Sequence, residues 1–388
     1  MLFQKIKQHP EIIFIVYALC FGIIFAMKVI PCSILDGGEH YMRAIEVSQG
    51  VLFNGNKSTW VGGYSPLMYM SSALGLKIFH NYFYAGRIFN LLVWIFFIAG
   101  AIRITPAFKW MFLITALYPT SLYQGMSYSA DSFSNAFSFL FFAYMFKLIF
   151  NEKDFSYKKD ISLLSLFSFT GALCKGAIFP IFLFPLVNIK NKMHKCFIFL
   201  FLIFVSIGTL WLWKMTGTGS IAKEVNFEYN LSYIYTFPLQ FVFMIFKTIV
   251  ISIKPWIYGC IGQMGWMGIA PHIVWTTFVL SLGVMFCVPE NLLITKKHRI
   301  TAFLVLLLYA IFTCLLLYFI YTPAWAATIL GVQPRYFIQV IPLLFLIFAR
   351  NIKPDRQTDK SKFIENMVIK SALLYMFLLL VYCSYIVI

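Results

Sequence analysis

Residues 196–213, CFIFLFLIFVSIGTLWLW, hold no charged side chain. A run of about 18–20 such residues is long enough to cross the hydrocarbon core of a bilayer as a helix. Inside that core every backbone N–H and C=O must be satisfied within its own segment, which leaves the helix and the closed barrel as the spanning structures. Comparable apolar runs recur along all 388 residues, and they are continuous rather than alternating. Alternation is the barrel's signature, so the chain reads as an all-α, polytopic transmembrane helical bundle. Only 12% of its residues are charged, where a soluble domain carries about 25%. The 44 Phe, 22 Tyr and 9 Trp fit lipid-facing surface and interfacial anchoring.

The distribution of charge matters more than the net +17. Short segments at the N-terminus and at 103–109, 147–160, 190–195, 291–299 and 350–370 hold 20 of the 31 Lys and Arg. Such a bias places those segments in the cytoplasm, N-terminus included, and it argues against a nucleic-acid surface. The orientation predicts about eleven spans: 11–30, 87–103, 110–124, 132–149, 160–173, 177–189, 196–213, 272–290, 300–320, 334–350 and 367–388. The range allowed by the boundaries is about 10 to 13. No small-x-small cleavage site follows the first apolar run, so it reads as a retained span.

Residues 1–388 are expected to form one integral membrane domain, with a first periplasmic loop at 31–86 and a second at 214–271. Residues 237–253 are apolar enough to cross, but a crossing there would turn ITKKHR (294–299) outward. They are therefore expected as an interfacial or re-entrant helix. Residues 66–80 are expected as a surface-lying helix. The eight cysteines form no C-x-x-C pair and mostly lie inside apolar runs, which points to packing rather than to zinc or redox chemistry.

ILDGGEHYMRAIEVSQG (34–50) places three of the chain's 14 acidic residues directly after the first span. A helix starting near Asp36 puts Asp36, Glu39, His40 and Arg43 on one face, with Tyr41, Ala44 and Ile45 opposite. Such an amphipathic helix lies on the outer membrane surface with its charged face towards water or a cavity. Two readings stand here. Asp36 caps the helix and Glu39 pairs with Arg43, or the carboxylates take and orient the proton of an acceptor hydroxyl.

The outer half offers partners for either reading. SYSADSFSNAFSF (127–139) carries Asp131, a helix cap or a second carboxylate of a shared cavity. GALCKGAIFP (171–180) carries Lys175, which snorkels or binds a lipid phosphate. GVQPRYFIQVIP (331–342) carries Arg335, the one basic residue between 300 and 349, flanked by Gln333 and Tyr336. A guanidinium grips phosphate bidentately. KPWIYGCIGQMGWMGIAPH (254–272) supplies Trp266, an interfacial anchor or an aromatic wall for a sugar. No Walker, G-x-G-x-x-G, H-E-x-x-H or G-x-S-x-G motif occurs, which disfavours an ATP-driven pump and a cytoplasmic nucleotide-sugar enzyme.

Taken together, these stretches resemble the GT-C superfamily of polytopic glycosyltransferases, and most of all a bacterial branch catalogued as a domain of unknown function. The resemblance rests on Asp36, Glu39, His40, Arg43 and Gly50; on Pro66, Tyr69, Gly86 and Arg87; on the 127–136 segment; on GQMGWMGIAP; and on GVQPRYFIQVIP. These matches occur in order over about the whole chain. Gly37 stands where the branch carries a second acidic residue, and Pro334 where it usually carries Gly. The resemblance implies a GT-C-like fold and an undecaprenyl-phosphate-type donor, with inverting transfer on the periplasmic face of the bacterial inner membrane. The acceptor would be a lipopolysaccharide O-antigen, a lipid-linked polysaccharide or a lipid.

On that footing Asp36 is the expected general base, with Glu39 orienting the acceptor. His40, Arg43, Asp131, Lys175, Gln333, Arg335, Tyr336 and Trp266 are the expected substrate-binding residues. No metal ligands are assigned; a divalent cation beside Glu39 is the one cofactor left open. Two rivals stay open. An O-antigen-type polymerase would use a pyrophosphate-linked oligosaccharide. A flippase would move the lipid-linked sugar without chemistry and would carry charges near mid-bilayer.

Overall fold

A computed structural model describes residues 8–29, 37–53, 60–150, 155–216, 224–288, 292–349 and 359–387. The chain is helical almost throughout. Seven helices are long and apolar enough to cross a membrane: α1 (Pro10–Lys28), α4 (Phe83–Ile104), α7 (Ala130–Phe150), α9 (Lys192–Thr216), α11 (Pro238–Gly262), α13 (Lys296–Ile320) and α15 (Asp359–Ile386). The protein is thus a polytopic all-α membrane protein. Between them lie α2 (Gly37–Ser48), α3 (Met70–Ile78), α5 (Lys109–Ala116), α6 (Pro119–Met126), α8 (Tyr157–Leu173), α10 (Phe227–Thr236), α12 (Pro271–Cys287) and α14 (Pro342–Phe348). Short 3₁₀ helices cover Trp60–Gly63, Pro66–Tyr69, Phe179–Leu186 and Pro334–Val340. A two-residue hairpin pairs β1 (Gln263–Met264) with β2 (Met267–Gly268).

Six of the eleven expected crossings are single long helices. The others are shorter or broken, and proline explains three of them. A proline has no N–H to give and tends to open a new helix at its first position. Pro119 divides the stretch expected at 110–124 into α5, buried but for Lys109, and α6, wholly buried. Pro180 and Pro185 hold 179–186 in a 3₁₀ form instead of the span expected at 177–189. Pro334 and Pro342 split 334–350 into a 3₁₀ helix and the short α14. Helices α8 and α12 each run 17 residues.

The core centres on α7, which packs most extensively on α4. Rings of Phe108, Phe112, Phe139, Phe146 and Phe345 meet edge-on or tilted at 5.3–6.0 Å, spacings at which aromatic pairs attract beyond their buried area. Glycines let the elements approach closely. A Cβ on Gly125 would sit 2.6 Å from the Trp94 ring, and one on Gly86 would collide with the Tyr128 hydroxyl. Elsewhere the long helices turn apolar side chains outward, Phe204 being 73% and Leu239 81% exposed. That is a surface for lipid, not water.

The basic segments gather at one end. The Phe108 ring, at the α4–α5 corner, meets Phe146 near the end of α7. Phe150 meets His298 at the start of α13, and Tyr157 meets His194 at the start of α9. Arg299 caps α14 by donating to the carbonyls of Ile347 (2.6 Å) and Ala349 (2.5 Å). At the other end Arg87 donates to Ala26 (3.0 Å) and Val29 (2.6 Å), tying the exit of α1 to the start of α4. That end also holds α2 and the first turn of α7.

Both ends of α11 contact this second end. The Phe241 ring meets Tyr318 near the close of α13 at 4.7 Å. Gly259 lies against Pro334. The 66–80 segment forms a 3₁₀ turn running into α3, with Ser65 Oγ accepting from the Leu67 amide.

Candidate functional site

The second end of the bundle brings together residues far apart in sequence around Asp131. Serines prepare its place. Ser129 Oγ accepts from the Asp131 amide at 3.2 Å, Ser127 Oγ accepts from the Ser129 amide at 3.2 Å, and Ser132 donates to the Gly125 carbonyl. Helix α7 therefore begins at Ala130 with a serine serving its first turn. The Asp131 side chain makes no cap bond there and turns instead to two cations.

Asp131 is 3% exposed and lies between two cations. Lys175 Nζ donates to Oδ1 at 3.4 Å, and Arg335 Nε stands 3.0 Å from Oδ2. Lys175 reaches the carboxylate from the turn between α8 and the 179–186 helix. Gly176 supplies that turn's φ of +66°, and a Cβ there would press on Gln339 Nε2 and the Tyr309 ring at 3.0 Å. The snorkelling reading of Lys175 fails, because its ammonium points inward. Burial opposes its charge, but the Asp131 carboxylate outweighs burial and drives its pKa up. The three side chains together carry a net charge of +1.

Aromatic rings wall the cluster. Lys175 Nζ lies 4.3 Å from the centroid of Tyr64 and 5.3 Å from that of Tyr336, and the Arg335 guanidinium lies 5.8 Å from Tyr336. These are cation–π distances. Tyr336 is anchored through its carbonyl, which accepts from Tyr309 Oη at 2.7 Å. His40, fully buried, stacks on Tyr64 at 6.1 Å, and its Nδ1 is 2.8 Å from Tyr69 Oη. Burial, then Lys175 and Arg335, hold the imidazole well below its ordinary pKa, with Asp131 acting the other way, so the ring is neutral at pH 7. Glu39 is half-buried and close enough to Tyr69 for its charge to act on the phenol.

The acidic helix takes the expected extent, and of the two surroundings expected for its charged face, water or a cavity, it meets the interior. His40, Arg43, Ala44 and Val47 are buried, while Gly38 and Met42 face out. The face expected to meet water or a cavity is thus packed into the protein. Arg43 is spent locally. It donates to Glu46 Oε2 at 2.8 Å and to the carbonyls of Val51 and Leu52 at 3.1 Å. It holds the exit of α2 and stands apart from the Asp131 cluster's own ion pairs. Asp36 directly precedes α2 in sequence and lies outside the described residues.

Beside Arg335 is a small cavity of about 40 Å³, lined by Thr120, Gln124, Gly259, Gln263, Gly265, Gln333, Pro334 and Arg335. Gln333 therefore belongs to this chamber rather than to the Asp131 pair. Trp266, at the hairpin tip, is 75% exposed and lies one residue beyond the cavity wall. Tyr64, Gln124 and Gln263 were not among the residues expected from sequence. The GGYSP turn and the Gly-rich 259–268 loop were their only signals. Among the described residues no three His, Cys, Asp or Glu side chains converge as metal ligands.

A family model described as "Predicted membrane protein (DUF2142)" matches residues 45–344. No curated protein and no solved structure matches the chain.

Proposed function

The chain belongs to the DUF2142 family of predicted membrane proteins, and within it we propose a glycosyltransferase that takes a sugar from a polyprenyl-phosphate donor. The acceptor is a cell-surface glycan or lipid, met at the periplasmic face of the bacterial inner membrane. One observation carries the reading: the buried Asp131 clasped by Lys175 and Arg335, at the end of the bundle opposite the basic segments. By the positive-inside rule the basic end is cytoplasmic, which puts the cluster on the outer side. Lys175 and Arg335 are the cations that a leaving phosphate needs. Asp131 holds them in place before the donor arrives.

In the transfer step the acceptor oxygen bonds to the anomeric carbon while the bond from that carbon to the phosphate oxygen breaks. The electron pair leaves with the phosphate, where Arg335 and Lys175 balance it. The acceptor proton passes to Asp36, and Glu39 orients the acceptor. Attack from the face opposite the phosphate inverts the anomeric centre. Tyr64 and Tyr336 confine the phosphate, and the prenyl tail runs along the lipid-facing helices.

The test is transfer of labelled sugar by purified chain in liposomes. Asp36→Asn is expected to fall by roughly 10²–10⁴-fold, the contribution of a general base, with unfolding temperature unchanged. Full transfer by that variant would remove Asp36 from the base role.

A further inference from the structure

We propose that the cavity beside Arg335 is a subsite for uncharged hydroxyl substituents of the donated sugar, a reading that rests on the transferase assignment above. The chamber is built, not incidental. Thr120 Oγ1 donates to the Gly259 carbonyl at 2.9 Å and accepts from the Gln263 amide at 2.8 Å. Those two bonds fasten the end of α11 and the hairpin to the start of α6. Gln124, a turn further along α6, is 3% exposed. Gly265 makes the hairpin turn with φ +66°. Gln333 and Arg335 close the remaining side.

The lining selects a chemistry. Gln124, Gln263 and Gln333 each offer both a donor and an acceptor, as a sugar hydroxyl does. Gln333 Oε1 is buried and has no hydrogen-bond partner among the described residues. A buried acceptor without a donor is costly and calls for one. No carboxylate lines the chamber, so nothing there would balance an ammonium. At about 40 Å³ it holds two or three water-sized groups. That is room for hydroxyls but not for a whole ring. Arg335 is common to the cavity and to the Asp131 pair, so a sugar seated here keeps its phosphate against both cations.

The experiment is ligand binding to detergent-solubilised full-length chain. The probes are polyprenyl phosphate alone and the same carrier bearing glucose, galactose, mannose, arabinose, glucosamine or glucuronic acid. The bare carrier should bind, and at least one neutral sugar should tighten binding by about tenfold. Gln333→Leu and, separately, Gln124→Leu should each weaken that neutral-sugar carrier by roughly 3–10-fold, the worth of one neutral hydrogen bond, without changing the bare carrier. Gln333→Glu should shift preference towards glucosamine.

The outcomes separate cleanly. If the bare carrier binds but no neutral sugar adds affinity, the subsite is wrong and the phosphate reading stands. The same holds if charged sugars are preferred by the unaltered chain, or if the leucine variants weaken both ligands equally. If no carrier binds at all, the transferase reading falls and the subsite falls with it.

Discussion

Asp131 shows what a buried charge costs and what it organises. With Lys175 at 3.4 Å and Arg335 at 3.0 Å it satisfies two cations that burial would otherwise penalise. Asp131→Ala removes the carboxylate that both share and should destabilise the protein by about 3–5 kcal/mol, as removal of one partner from a buried pair does. Thermal unfolding in detergent measures it. Asp131→Ala combined with Lys175→Met should recover part of that loss, because the two sites are coupled. His40 makes a pH prediction. In the unfolded chain it takes a proton near pH 6.5. In the fold, burial and the two cations keep it neutral to lower pH. Below about pH 6.5 the unfolded state therefore binds more protons, and stability declines as pH falls. Unfolding temperatures at about pH 7.5 and about pH 5.5 should differ more for the unaltered chain than for His40→Asn. Residue types were legible before the structure. Asp131, Lys175, Arg335 and Tyr336 stand out by their places at span ends and His40 by its face on the acidic helix, and the five converge. Arg43 is expected from spacing to pair with Glu39, whereas its salt bridge is to Glu46, three residues on. Its use in holding Val51 and Leu52 depends on a loop path that spacing along a helix cannot show.

At the scale of elements, arginine has two uses here. Arg87 and Arg299 close the carbonyl ends of α1 and α14, whereas Arg335 meets a carboxylate. Arg87→Leu should cost about 2–3 kcal/mol through lost charged hydrogen bonds, read as a lower unfolding temperature. Gly86→Val should also destabilise, by about 1–3 kcal/mol, because the added side chain overpacks against Tyr128. Helix existence was legible from apolar length, but continuity was not. The prolines at 119, 180, 185, 334 and 342 are all plain in the sequence, yet hydropathy averages over them, so broken segments read as spans. Which of its two expected surroundings α2 meets stays open in the sequence for a related reason. A polar stripe has the same period whether it faces water or a cluster of buried charges, and only the packing of Tyr64 and Tyr69 against His40 decides it.

Across the whole molecule, charge asymmetry and site position describe one arrangement. The starts of α9 and α13 and the end of α7 share the basic end, and the Asp131 cluster sits at the other. In a cysteine-free background, Trp266→Cys should react with an impermeant thiol reagent added outside intact cells. Lys296→Cys should react only after the membrane is opened. The same pattern at both positions would contradict the assigned orientation. The all-α membrane class and the gathering of basic segments at one end were legible because both follow from composition and the placing of basic residues. The cavity was not, since it is assembled from α6, the hairpin and the 333–335 segment, which sequence order keeps apart. The account stands or falls on whether the cluster performs chemistry. Reconstituted chain supplied with labelled polyprenyl-phosphate sugar and acceptor lipid provides the most direct reading. The account predicts that the label leaves the carrier and appears on the acceptor. Donor that crosses to the other leaflet with its sugar still attached, and no labelled product, would contradict it.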